Sequence, residues 1–198
     1  MSRILIIAGD ATACSHLLYA VPRLQEEGFD VIVAAPIKKR LNTVIHEREE
    51  GWDTYIEKPG YIMQADALLD DIDPSTFDAL ILPGGRAPEY LRTIKRCIEV
   101  VRHFLDSGKP IAAICHGPLI LLAAGLKGKR LAGLHLIKPD VIAAGCTYVE
   151  RRDKPVVDGN IVTAWIRPDM GIWMQAFLSL LKERGIKPSK EKPIVSSL

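Results

Sequence analysis

The sequence predicts an α/β fold: an open, mostly parallel sheet with helices on both faces. Three observations carry this reading. Short, continuous apolar runs alternate with stretches of helical periodicity. The runs show little polar alternation, as expected of strands buried on both faces. Three of the turn signals that end them, Gly9-Asp10, Gly84-Gly85 and Cys115-His116, would meet at the carboxyl edge of one sheet, where folds of this kind bind ligands.

Ile4–Ala8 is the first buried strand, ended by Gly9-Asp10. His16–Glu27 follows as a helix, with Leu17, Leu18, Val21 and Leu24 at helical spacing and Gly28 as its stop. Asp30–Ala35 is a second strand and completes a βαβ unit. Residues 41–63 break the rhythm. Thr43–His46 and Asp53–Glu57 fit a short hairpin turning at Gly51, and Pro59-Gly60 reads as a further turn. Ala65–Asp71 reads as a short helix, Phe77–Leu82 as a strand, and Ile94–Ser107 as a helix. Lys109–Ile114 is another buried strand. It runs into Cys115-His116-Gly117-Pro118 and then the helical run Leu119–Ala124. Pro139–Ala144 reads as a short helix and Thr147–Val149 as a strand. Val156–Val157 and Ile161–Trp165 are strands joined by a turn at Asp158-Gly159-Asn160. Asp169–Lys182 is the last amphipathic helix. The expected organisation is one domain, residues 1–185, and a loose tail, residues 186–198.

With 48% hydrophobic and 25% charged residues, the 198-residue chain has the composition of a globular protein with a real core. A net charge of +2, with no dense basic run before the tail, argues against nucleic acid or a membrane surface as partner. The opening apolar run is too short for a secretory signal, and a cytoplasmic location is expected. No phosphate-binding loop, Gly-x-Gly-x-x-Gly turn or metal-ligand spacing occurs, so no cofactor and no metal are expected. The four cysteines, Cys14, Cys97, Cys115 and Cys146, form no CxxC pair and are expected as free thiols. Cys97 and Cys146 fit structural positions.

Cys115 stands apart. A side chain at a sharp turn from strand to helix is held above the sheet edge, often on strained backbone. A helix N-terminus beneath it favours thiolate, the nucleophilic form. Gly117 and Pro118 fit a tight elbow leading into a first helical turn. The alternative is an ordinary buried core cysteine.

Two segments, Ala113-Ile-Cys-His-Gly-Pro118 and Asp78-Ala-Leu-Ile-Leu-Pro-Gly-Gly-Arg-Ala-Pro-Glu89, resemble the ThiJ/PfpI family, part of the class I glutamine amidotransferase-like superfamily. The resemblance runs from Ile4 to about Leu181, and Asp53–Tyr61 is similar to a PfpI-like subgroup. It implies a flavodoxin-like three-layer α/β/α sandwich. It also implies roles: Cys115 as nucleophile, His116 as general base or imidazolium partner, and Glu89, supplied by a neighbouring subunit, as the acid that orients His116. The active unit would then be a homo-oligomer. His116 also fits a turn residue, and Glu89 a helix N-terminal acid. Gly84 and Gly85, with the N–H of His116, fit either an oxyanion hole or a tight βα turn.

The segment Gly9-Asp-Ala-Thr-Ala-Cys-Ser-His16 departs from the family pattern, placing Ala13 and His16 where glutamates are usual. Asp10 remains at the pocket edge. A protonated His16 would stabilise a thiolate, and Cys14 could serve as a resolving thiol; both also fit ordinary first-turn helix positions. Arg86 and Tyr90 fit the pocket mouth or the surface equally. Trp52, Trp165 and Trp173 fit packing or interface roles.

Two functions remain open. One is a PfpI-like cysteine hydrolase, peptidase or glyoxalase/deglycase-like, acting on a carbonyl or amide of a small-molecule or peptide substrate. The other is a non-catalytic or redox-sensing protein of the same fold. The stretch 164–169 has no His-x-Glu, which argues against glutaminase chemistry.

Overall fold

In the computed structural model, which describes residues 2–150 and 153–188, seven strands form one sheet. They are β1 (Arg3–Ile7), β2 (Asp30–Ala35), β5 (Ala67–Leu68), β6 (Ala79–Leu82), β7 (Ile111–Ile114), β10 (Val156–Asp158) and β11 (Ile161–Ala164). The order is β10-β11-β7-β6-β1-β2-β5. Every pairing is parallel except β10 with β11. This is the mostly parallel sheet that the alternating runs predict, in the flavodoxin-like sandwich that the resemblance implies.

Alternation along the strands assigns the two faces. Ile4, Ile6, Ile81, Ala112 and Ile114 lie on one, under α1 (Cys14–Glu26) and α6 (Met170–Glu183), where Leu17, Leu24, Trp173 and Phe177 are fully buried. Leu5, Ile7, Leu80, Leu82, Ile111 and Ala113 lie on the other, under α3 (Lys95–Ser107), α4 (Pro118–Ala123) and α5 (Lys138–Ala143). Burying such side chains contributes about 1.5–3 kcal/mol each. Among the described residues, no helix is long and apolar enough to cross a membrane.

Several expectations change. The first helix begins at Cys14 rather than His16. The hairpin is longer, pairing β3 (Arg40–Glu47) with β4 (Ile56–Gln64). Pro59-Gly60 lies inside β4 at a register shift and not in a turn. A proline has no N–H for the ladder, and an irregularity is where a strand accepts one. Residues 65–71 are not a helix. Ala67–Leu68 adds the sheet's edge strand beside β2, and Leu69–Asp71 is a single 3-10 turn. The paired tip Thr147–Tyr148 (β9) meets Arg130–Leu131 (β8), a strand the sequence pattern does not signal. At the C-terminus, Ile186 is tied down, its N–H on the Leu181 carbonyl and its side chain against the core; residues 189–198 of the expected tail lie outside the described residues.

Candidate active site

β7 delivers Cys115 to the carboxyl edge of the sheet, and the chain turns there at once. Cys115 has φ of 62°, in the left-handed region that a residue with a Cβ rarely adopts. Its surroundings hold it. Its N–H reaches the Ala164 carbonyl on β11, its carbonyl accepts the N–H of Leu134, and Gly117 N–H closes the turn onto Ile114. Two glycines make room: a Cβ at Gly84 would sit 2.5 Å from that of Cys115, and one at Gly117 would sit 2.2 Å from the Leu82 carbonyl oxygen. The elbow is therefore dictated by packing.

Around the sulfur the polar groups are close. His116 Nδ1 lies 3.5 Å from Cys115 Sγ, although the two residues are neighbours in sequence. His116 Nε2 lies 3.9 Å from Glu89 Oε1, on the first turn of α2 (Ala87–Leu91). That carboxylate belongs to the same chain. The backbone N–H groups of Gly85 and His116 act on the sulfur in the direction that favours its charged form.

Burial decides the resting charge. It pushes the Cys115 thiol up to about 11, against the pull of those two N–H groups. It takes the His116 imidazole down to about 4, aided by His46 and opposed by Asp140 and Glu57. The resting pair is a thiol beside a neutral imidazole. The helix terminus that favours a thiolate belongs to a helix of only six residues, and burial opposes it.

The remaining predicted residues divide. Gly84 does not line an oxyanion hole: its N–H donates to His16 Nδ1 at 3.0 Å. Gly85 N–H stays available to the sulfur. His16 is neutral, burial taking it to about 3 with help from His46 and His116, so it cannot act as a cation beside a thiolate. Cys14 is turned toward the hairpin, where its sulfur accepts the Tyr61 N–H at 3.4 Å, and this is no posture for a resolving thiol. Asp10 faces away from the sulfur chemistry, bonded to Lys39 and to the backbone and side chain of Asn42. Burial raises its carboxyl, and those partners more than offset it. Trp173 is fully buried packing, whereas Trp52 is exposed.

The hairpin brings residues that sequence reasoning passed over. Tyr55, half-buried, has its phenol pushed up to about 12 by burial and by the nearby Cys115, Glu89 and Glu57. Glu57 accepts from Arg86 and lies 3.0 Å from His46 Nε2. Their signals in the sequence were the hairpin and, for Tyr55 and Glu57, the resemblance over Asp53–Tyr61; His46 and Glu57 are direct cross-strand partners.

The DJ-1/PfpI family model matches residues 2–180, both halves of the elbow included. The chain belongs to the DJ-1/PfpI family. A deglycase of Pyrococcus abyssi is 39% identical over 181 residues, 91% of this chain and 99% of the relative. Deglycase PfpI of Pyrococcus furiosus is 38% identical over the same span. Among solved structures, a two-domain Anabaena variabilis protein with DJ-1/ThiJ/PfpI-like and ferritin-like domains matches with a TM-score of 0.79 and 25% identity, covering all of this chain and 52% of that one. Drosophila melanogaster DJ-1beta matches with a TM-score of 0.73 over 94% of this chain and 92% of its own, at 24% identity.

Proposed function

We propose that this DJ-1/PfpI chain is a cysteine-dependent hydrolase of the deglycase kind, with Cys115 adding to a carbonyl carbon. The observation that carries the reading is the run Cys115 Sγ, His116 Nδ1, His116 Nε2, Glu89 Oε1, with gaps of 3.5 and 3.9 Å, on a strained elbow. With Nε2–H turned to the Glu89 carboxylate, Nδ1 is left as an acceptor for the thiol proton. As Sγ bonds to the carbonyl carbon, its proton passes to Nδ1 and the carbonyl electron pair moves to oxygen. The N–H groups of Gly85 and His116, which act on the sulfur, are the donors offered to that oxygen. The buried thiol is thus activated by its base at the moment of attack, as serine hydroxyls are. The names of the relatives support a deglycase over a peptidase.

The test is conversion of methylglyoxal, a 2-oxoaldehyde, to its 2-hydroxy acid: in the Cys115 adduct the hydrogen on C1 moves to C2, oxidising C1 to a thioester as C2 is reduced to the alcohol, and water then releases the acid and returns the thiol. Cys115→Ser is expected to lower kcat by at least about 100-fold, the lower end of what positioned nucleophiles and bases contribute. Equal turnover by the two proteins would remove Cys115 from the chemistry. Turnover by neither protein above the uncatalysed rate would favour the second reading, a scaffold without catalysis. It has its own support in Ala13 and His16 at the usual glutamate positions and in the raised thiol.

A further inference from the structure

Arg86 and Glu89 sit three residues apart at the start of α2, where opposite charges ordinarily pair with each other. Here they do not. The Arg86 guanidinium reaches instead to β4, its Nη2 3.1 Å from Glu57 Oε2 and its Nε 3.2 and 3.3 Å from the two oxygens. Glu57 is fixed from its other side by His46 Nε2, at 3.0 Å on the paired strand. Glu89 is left facing His116.

We infer that Glu57 is a positioning residue for the catalytic histidine: by holding Arg86, it keeps Glu89 free to face His116. The inference rests on the relay proposed above. Glu57 touches neither the sulfur nor the imidazole. Its effect passes through a choice of ion-pair partner. A two-point contact with a fork-shaped guanidinium outcompetes the single-turn contact that Glu89 would offer. Remove the Glu57 charge, and the half-exposed Arg86 side chain turns to Glu89, the other carboxylate that acts on it, drawing it off His116. Tyr55 and Glu89 both lie within electrostatic reach of Arg86, so the released guanidinium stays at the site mouth.

The experiment is a double-mutant cycle on the full chain, with kcat and KM for methylglyoxal as readout. The rate of Cys115 alkylation by iodoacetamide at neutral pH gives a second readout that is independent of substrate. Glu57→Gln is expected to lower kcat about threefold to fivefold with KM little changed, the scale on which an exposed ion pair competes. In an Arg86→Gln background the same substitution should have little effect, because no cation remains to capture Glu89. A purely structural role for Glu57 would not be rescued by removing Arg86. An equal loss in both backgrounds, a change confined to KM, or no loss at all overturns the inference. Glu89→Gln is the control. If it is impaired while the cycle shows no coupling, only the positioning role falls. If Glu89→Gln keeps full kcat and alkylation rate, the acid leaves the relay and the inference falls with it.

Discussion

The backbone N–H of Gly84 donates to Nδ1 of His16 across 68 residues of sequence, at 3.0 Å and in a buried setting. The contact joins the end of β6 to the first turn of α1. It fixes His16 as the Nε2–H tautomer, and it keeps the α1 side chain against the elbow, since a Cβ on Gly84 would sit 3.0 Å from His16 Cε1.

His16→Leu is therefore expected to leave a buried N–H without an acceptor. The loss should be about 1–3 kcal/mol. At roughly 2–4 °C per kcal/mol for a chain of this size, thermal unfolding reads it directly. His16→Asn, whose amide oxygen can take the place of Nδ1, should recover most of the loss. Equal destabilisation by both would show that bulk, and not the hydrogen bond, matters at this position.

Acid should weaken the fold in a window set by two histidines. His16 and His116 are held near 3 and near 4 in the folded chain, against 6.5 when exposed. Below 6.5 the unfolded chain takes up protons that the folded one refuses, so stability falls as pH drops. The loss continues to about 4 for His116 and about 3 for His16. Each contributes a slope of up to about 1.4 kcal/mol per pH unit. Urea titrations between neutral pH and pH 5 should show the decline, and His16→Asn should flatten it by close to one proton. A slope unaltered by that substitution would place the proton uptake elsewhere.

Glu89 approaches the His116 of its own chain. Cys115→Ala and Glu89→Gln proteins, unfolded together and refolded as a mixture, are accordingly expected to stay as inactive as the separate variants, whatever assembly they form. Recovery of activity in the mixture would mean that a partner's acid serves the site, as the family resemblance implies.

Much of this was legible in the sequence because buried parallel strands announce themselves as bare apolar runs. Ile4–Ala8, Asp30–Ala35, Phe77–Leu82 and Lys109–Ile114 needed no long-range information. Cys115 was legible for a related reason: strand, cysteine, glycine and proline in that order leave few conformations. The edge strand Ala67–Leu68 was not, since two residues carry no period and only the neighbouring β2 makes them a strand. The polar cluster at the mouth was hidden more deeply. His46, Glu57 and Arg86 lie far apart in sequence, and their meeting depends on hairpin register. The burial that pushes the Cys115 thiol up was hidden as well, because a helix terminus is visible in sequence and desolvation is not.

All four cysteines are buried, two of them in very different places: Cys97 in the core under α3, with no exposed surface, and Cys115 beneath the hairpin at the sheet edge. A thiol reagent too large to slip between side chains reacts with either only when the protein breathes. The reaction at Cys97 then follows disruption of the core, and the reaction at Cys115 follows opening at the mouth alone. The chain thus carries its own pair of built-in clocks, and the ratio of their rates measures how often the doorway opens without the house coming down.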